Sequence, residues 1–279
     1  MKITVIGLGL IGGSIAKDLK SQLNVKVYGV DESPEHLDTA MKLGLIHFAC
    51  DLDTGLENAD VVIISVPVHK IEVLLPEILN KINDSTTIID VGSTKEEICK
   101  SVSLHPRRGS FVAAHPLAGT EFSGPSAALK GLFQNKKNIV CEKEKSSTSA
   151  LNMALKIFES LGMVTTYMPP KEHDKHVAYV SHLSHVSSFM LGLTVLDIEK
   201  DEKQIFDLAG TGFASTVRLA KSNPKTWAPI FGKNKKYLLQ ALDSYIDHLE
   251  NFRDLIKKGD TLGIEKLMSD SNEIKRILH

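Results

Sequence analysis

The stretch Lys2-Ile3-Thr4-Val5-Ile6-Gly7-Leu8-Gly9-Leu10-Ile11-Gly12-Gly13-Ser14-Ile15-Ala16 decides the fold. Lys2–Ile6 reads as a short apolar strand, and Gly13 to Ala16 opens a helix. Between them, Gly7, Leu8, Gly9, Leu10, Ile11 and Gly12 form G-x-G-x-x-G, the turn that cradles a dinucleotide when a strand precedes it and a helix follows. Gly7 allows the tight turn, Gly9 lets the backbone approach a pyrophosphate, and Gly12 lets helix and strand pack closely. The helix N-terminus offers free N–H donors to the anion. A second strand, Val25–Val30, ends in Asp31, 19 residues beyond Gly12. A carboxylate there accepts hydrogen bonds from the ribose hydroxyls and repels a 2′-phosphate. Glu32 adds negative charge, and no Arg or Lys follows until Lys42. The expected cofactor is therefore NAD rather than NADP. As an alternative, Asp31 is a turn residue before Ser33-Pro34, a helix cap with proline at the first helical position.

The 279 residues suffice for two modest domains and a sizeable core. Lys plus Arg number 33 against 34 acids, so no global field favours nucleic acid or an anionic membrane. Three cysteines without C-x-x-C spacing (Cys50, Cys99, Cys141) argue against a disulfide framework and against a zinc site. The chain opens directly on a strand, which leaves no room for a signal peptide, and no apolar run approaches the ~20 residues of a membrane span. A cytoplasmic protein is expected, with no nucleic-acid or membrane partner.

Strands are predicted at Leu45–Cys50, Thr87–Val91, Phe111–Ala114, Asn138–Cys141 and Val164–Met168. The run Ala59 to Pro67 is an unbroken apolar strand of the kind buried on both faces. Helices fall between them, at about Pro34–Leu43, Ile71–Asn80 and Ser147–Leu161. This alternation predicts an α/β fold, a doubly wound and mainly parallel sheet of the Rossmann type over residues 1–168. Ser65, Val66 and Pro67, at the end of their strand, join the cofactor-site candidates. Ser93 and Glu96 have capping-box spacing.

After Pro169-Pro170 no strand-like segment remains. Val186, Phe189, Met190 and Leu193 repeat at helical spacing and predict a core stripe. Asn223-Pro224 opens a long helical segment through Leu255, and a last helix is expected over Asp260–Leu278. Residues 169–279 thus read as an all-helical domain whose apolar stripes invite a second copy of the chain, a dimer.

Four groups carry chemistry. Ser93 lies at a strand's carboxyl end, where ligands sit in open α/β sheets, although a plain helix cap would also explain it. His115 stands before Pro116 at another such end, where an imidazole with an ordinary pKa near 6.5 can take a proton. His173-Asp174, His176, His182 and His185 cluster, the last two sharing a helix face. No Cys or acid completes a metal site there, so none is expected, and contact with a polar substrate is favoured. Arg218, with Trp227 downstream, can grip a carboxylate with two parallel hydrogen bonds, or can snorkel at the surface.

Together these motifs resemble the prephenate and arogenate dehydrogenases of tyrosine biosynthesis. The resemblance spans nearly the whole chain: GLGLIGGS at 7–14, VGSTK at 91–95, HPLAGTEFSG at 115–124, EHDKHVAYVSHLSH at 172–185 and GTGFASTVRLA at 210–220 with Trp227. HPLAGTE is the most specific. The resemblance implies that His115 is the catalytic histidine bonded to the ring hydroxyl under oxidation, and that Ser93 touches the same hydroxyl and positions the nicotinamide. It implies that Arg218 holds the substrate side-chain carboxylate, while His173, His182, His185, Glu121 and Trp227 line the substrate pocket or its gate. It also implies a dimer through the helical domain. Two departures concern specificity: Ser184 replaces a usual proline, and Ser215, two residues before Val217, stands where an acid is common.

The implied reaction is NAD-dependent oxidative decarboxylation of prephenate to 4-hydroxyphenylpyruvate, with arogenate oxidation to tyrosine as the alternative. Tyrosine, which resembles the product, is an expected competitor at the active site. A β-hydroxyacid dehydrogenase or imine reductase shares the plan but lacks HPLAGTE. A non-catalytic NAD-binding scaffold would have no need of Ser93, His115 and Arg218 together. The chain stops at His279 with no appended mutase or regulatory domain expected.

Overall fold

The computed structural model describes residues 1–200, 202, 205 and 208–277. They form two compact units, one over Met1–Asn234 and one from Lys235 to the end of the described chain.

The first unit is built on eight strands: β1 (Lys2–Ile6), β2 (Lys26–Val30), β3 (Phe48–Ala49), β4 (Val61–Ile64), β5 (Thr87–Asp90), β6 (Phe111–Pro116), β7 (Lys137–Cys141) and β8 (Val164–Tyr167). Their order is β3-β2-β1-β4-β5-β6-β7-β8. All pairs are parallel except β6 with β7, where Ala113 faces Cys141 and His115 faces Ile139. The helices between the strands are α1 (Leu10–Gln22), α2 (Pro34–Lys42), α3 (Leu52–Leu56), α4 (Val68–Lys81), α5 (Glu96–Ser101) and α6 (Thr148–Ser160).

The strands alternate between two cores, because successive side chains point to opposite faces. Ile3, Val5, Val61, Ile63, Ile89, Val112 and Ala114 pack on one face with Ile15, Leu19, Ala154 and Phe158 of α1 and α6. Ile6, Val62, Ile64, Ile88 and Phe111 pack on the other with Ile71, Leu75, Ile78 and Ile98 of α4 and α5. Each Val, Leu, Ile or Phe among them contributes about 1.5–3 kcal/mol by leaving water. The loop after β6 is tied to α1 by two buried groups. The Ser14 hydroxyl accepts from the Leu129 N–H at 2.9 Å, and the Asp18 carboxylate accepts from the Gly131 N–H at 3.0 Å.

The predicted strand Leu45–Cys50 shrinks to Phe48–Ala49, since Leu45 and Ile46 are taken up as core plugs before the ladder begins. The predicted capping box at Ser93 is also absent. Helix α5 starts at Glu96, and the N–H groups of Lys95 and Glu96 are accepted instead by Asp174, at 2.7 and 2.8 Å.

Past Pro169 the described residues hold the helices α7 (Pro170–Val177), a π-helical turn Ala178–His182, α8 (Leu183–Glu199), α9 (Thr211–Thr216) and α10 (Pro224–Lys233). The stripe expected to be core on α8 is not buried within one chain, where Met190 is 50% and Leu193 53% exposed. The single segment expected from Asn223 to Leu255 is two helices, because Asn234 leaves helical geometry (φ −105°, ψ 24°) with its side chain turned into the buried interior. The second unit holds α11 (Lys235–Lys258) and α12 (Thr261–Ser271), joined at Gly259 (φ +66°) and capped by Asp260. The predicted helix end at Leu278 lies outside the described residues.

Candidate active site

The carboxyl ends of β1, β2, β4, β5 and β6 lie along one edge of the sheet and carry Gly7, Asp31, Ser65, Ser93 and His115 in turn. At the first of these, Gly7 has φ +90°, and a Cβ there would stand 2.5 Å from the Ser65 carbonyl oxygen. A Cβ on Gly12 would run into the Gly7 carbonyl, so both positions require glycine. Gly9 faces open space, and no side chain caps the N-terminus of α1 above it. That leaves the first-turn N–H groups available to an anion.

Asp31 is nearly buried, and its two oxygens accept from the Leu8 N–H at 2.8 Å and the Ser33 N–H at 2.9 Å. Ser33 caps α2 through His36 N–H. The turn role of Asp31 is thus observed, and the same carboxylate keeps further lone pairs open to a ribose. Lys70, which is distant in sequence, reaches Glu32 as an ion pair, and His36 Nδ1 sits 3.3 Å from Asp31. The turn, the open Gly9 and the anchored carboxylate fit a dinucleotide.

The centre of the site is a hydrogen-bonded chain. His115 Nδ1 is 2.8 Å from His173 Nε2, and His173 Nδ1 is 2.7 Å from Asp174 Oδ1. His115 is half-buried, whereas His173 is fully buried behind it and presents no open face. Burial pushes the His115 pKa well below 6.5, with His173, Lys95 and His182 adding in the same direction. Burial also lowers His173, against the opposing pull of Asp174. The ordinary pKa expected for His115 is thus corrected downward, and both rings are neutral near pH 7. Ser93 lies partly exposed and makes no hydrogen bond among the described residues.

Lys95 and Asp90 were not legible as site residues. Both are fully buried and form an ion pair beneath His115. Asp90 Oδ1 accepts from the Ala114 N–H at 3.2 Å, while Lys95 Nζ donates to the Ala114 carbonyl at 2.7 Å. Asn234 was also missed. Its amide donates to the Asp174 carbonyl at 2.7 Å and lies 3.1 Å from His182 Nδ1. The available signal was Asp90 itself, an acid closing the apolar strand Thr87-Ile88-Ile89-Asp90, where burial demands a partner.

His182 is buried, and burial lowers its pKa to about 4. His185 stacks on Trp227 at 3.3 Å between ring centroids and is likewise lowered, by burial first and then by Arg218. Arg218 is largely exposed and stands 3.6 Å from Glu121. The structure therefore brings His185, Trp227, Arg218 and Glu121 into one neighbourhood, and His115, His173, Asp174 and Lys95 into another.

The glycine turn, the acid ending β2 and an imidazole at the same sheet edge define a dinucleotide-dependent dehydrogenase. Residues 15–167 match the family model described as the nucleotide-binding domain of prephenate dehydrogenase, and residues 169–270 match that of its dimerization domain. The chain belongs to the prephenate dehydrogenase family. It is 32% identical to a prephenate dehydrogenase of Bacillus subtilis, over 93% of this chain and 72% of that one. A crystal structure of prephenate dehydrogenase from A. aeolicus, in complex with hydroxyphenyl propionate and NAD+, superimposes with a TM-score of 0.88 at 30% identity, covering 99% of this chain and 97% of that one. Synechocystis arogenate dehydrogenase superimposes with a TM-score of 0.78 at 27% identity, over 100% of both chains.

Proposed function

We propose that this chain is an NAD-dependent prephenate dehydrogenase, which converts prephenate to 4-hydroxyphenylpyruvate by oxidative decarboxylation. The observation that carries this reading is His115, a neutral imidazole held by His173 at the sheet edge that also bears the dinucleotide turn. In this assignment Gly7 to Gly12, Asp31, Ser65, Val66, Pro67 and Ser93 hold NAD, which when bound accepts the hydride from C4 of the substrate. His115 accepts the hydrogen bond of the C4 hydroxyl and takes its proton as the carbonyl forms. Ser93, whose hydroxyl is uncommitted, contacts the same oxygen. The ring carboxylate leaves as carbon dioxide, and its bonding electron pair flows through the ring to the C4 oxygen. His115 returns the proton, giving the phenol. Arg218 binds the side-chain carboxylate, with Glu121, His185 and Trp227 around it. His173 and His182 support this pocket from behind.

Residues 1–168 serve the cofactor in this reading, and residues 169–279 serve substrate and dimerisation. Leu239, Ile246, Leu249 and Ile256 form an exposed apolar row on α11, of the kind a second copy covers. Tyrosine, sharing the product's ring, competes at the pocket. The three free cysteines accord with a cytoplasmic location, and no described helix is long and apolar enough to cross a membrane.

The test is NAD reduction with purified protein and prephenate or arogenate side by side, with carbon dioxide release followed. Release matching NADH formation is expected with prephenate. Absence of turnover with both substrates would leave an NAD-binding scaffold as the reading.

A further inference from the structure

We propose that Asp174 and His173 are positioning residues that fix His115 in a single tautomer, with the proton on Nδ1 and the lone pair of Nε2 facing the substrate. The inference rests on the reading of His115 as the acceptor of the substrate hydroxyl.

Donors and acceptors along the chain leave one consistent assignment. Asp174 is anchored by the N–H groups of Lys95 and Glu96, so its Oδ1 can only accept, and His173 must offer it Nδ1–H at 2.7 Å. A neutral His173 carries one proton, so its Nε2 is bare. That nitrogen is 2.8 Å from His115 Nδ1, which must therefore be the donor. His115 Nε2, with no partner among the described residues, is left as the acceptor. Free imidazole side chains favour the opposite tautomer, with the proton on Nε2. An His115 in that state would present a donor to a hydroxyl it has to deprotonate.

Two features keep the chain from relaxing. His173 is fully buried, so water cannot replace Asp174 as its partner. The charged and titratable groups facing the two rings also disfavour a second proton on either. Lys95 and His182 face His115, while Lys95 faces His173, where Asp174 and Asp90 pull the other way but burial prevails. The arrangement is a carboxylate acting through one imidazole upon another, as the aspartate of a serine-protease triad acts directly on its histidine.

The decisive experiment is ¹⁵N NMR of histidine-labelled protein, with the His115 signals assigned by their loss in His115→Asn. The expected spectrum has a pyrrole-type Nδ1 and a pyridine-type Nε2. His173→Leu should move the proton to Nε2 and lower kcat on the order of 10–100-fold, with KM for prephenate changing much less. His173→Gln, whose amide oxygen can accept from His115 Nδ1–H, should restore both the tautomer and most of the rate. A merely structural role for His173 predicts no such rescue and no tautomer change. Nε2–H on His115 in the wild-type spectrum overturns the proposal, and that measurement needs no variant at position 173 to fold. A fully active His115→Asn enzyme would instead overturn the reading of His115, leaving the tautomer result to be judged separately.

Discussion

Lys95 and Asp90 form a buried ion pair that grips the backbone of Ala114 at two points, the carboxylate at its N–H and the ammonium at its carbonyl. The next residue is His115, so the pair sets where the strand delivers its imidazole. Two buried charges are stable only while they neutralise each other. Lys95→Met should therefore destabilise the protein by about 3–5 kcal/mol, because Asp90 is left in a dry site without its counter-charge. Lys95→Met combined with Asp90→Leu should cost clearly less than the two single changes added together. Urea unfolding of the four proteins checks this, and strict additivity would count against the pair.

The rate should report the lowered pKa of His115. As a proton acceptor it must be neutral, and the neutral form prevails above its pKa. Since burial has moved that pKa well below 6.5, kcat/KM should stay level from pH 8 down through 6.5 and fall only at more acid pH. An unperturbed histidine would already have lost half its activity at 6.5. His115→Asn should lower kcat at least ~10²-fold, the range for a lost general base. A shallow titration centred at 6.5, or a nearly active mutant, would remove His115 from the proton transfer.

Cofactor choice should follow Asp31. Its carboxylate is already oriented by the N–H groups of Leu8 and Ser33, so little needs to reorganise when ribose hydroxyls arrive. Wild-type protein should strongly prefer NAD. Asp31→Ser with Glu32→Arg should shift preference toward NADP, since it removes both acids and releases Lys70 from its ion pair. Comparable efficiency of the wild type with NADP would refute the role given to Asp31.

Acid should destabilise the fold through its buried histidines. The His182 pKa is about 4 in the native protein and about 6.5 when unfolded, so as pH falls the unfolded chain takes the proton first. Stability is thus complete above 6.5 and is lost between 6.5 and about 4, by about 3 kcal/mol for this residue. His182→Asn keeps an acceptor for Asn234 but cannot ionise, and its unfolding free energy should fall less steeply across that window. Parallel slopes for the two proteins would mean that His182 titrates normally.

The parts of this molecule legible in the sequence are those encoded locally. The glycine turn, Asp31 and the apolar strands announce themselves within a few residues, and Ser93 and His115 are visible as polar side chains where strands stop. The reversal of β7 against β6 was not legible, because alternation along a strand carries no sign of its partner's direction. The Ser93–Glu96 spacing satisfied a local rule, yet Asp174 took the helix N-terminus from 78 residues away. No spacing encodes such a contact. The same holds for Asn234, which reaches His182 across 52 residues.

The remaining prediction concerns the substrate's side chain, a keto acid in prephenate and an amino acid in arogenate. Repulsion of arogenate's ammonium by protonated His182 and His185 is not available, because burial holds both rings neutral near pH 7. Discrimination must come from what can accept the ammonium instead. Ser215 is neutral, and its hydroxyl donates to the Gly212 carbonyl of its own helix at 2.9 Å. Glu121 is the acid brought to Arg218, and at 3.6 Å it is already turned to the guanidinium. An ammonium bound there would compete with Arg218 for Glu121 or stand without a partner, which costs on the order of 1–3 kcal/mol. Prephenate should therefore be the better substrate by about tenfold or more in kcat/KM. In the proposed assignment Arg218 binds a carboxylate common to both, so Arg218→Ala should raise KM for the two substrates alike. Glu121→Gln should widen the gap, since it removes the acid beside Arg218 that an ammonium would otherwise turn to. Steady-state kinetics of the three proteins with both substrates decides the matter. Equal efficiency of the wild type with arogenate would end the specificity claim, and an unchanged KM in Arg218→Ala would end the role assigned to that arginine.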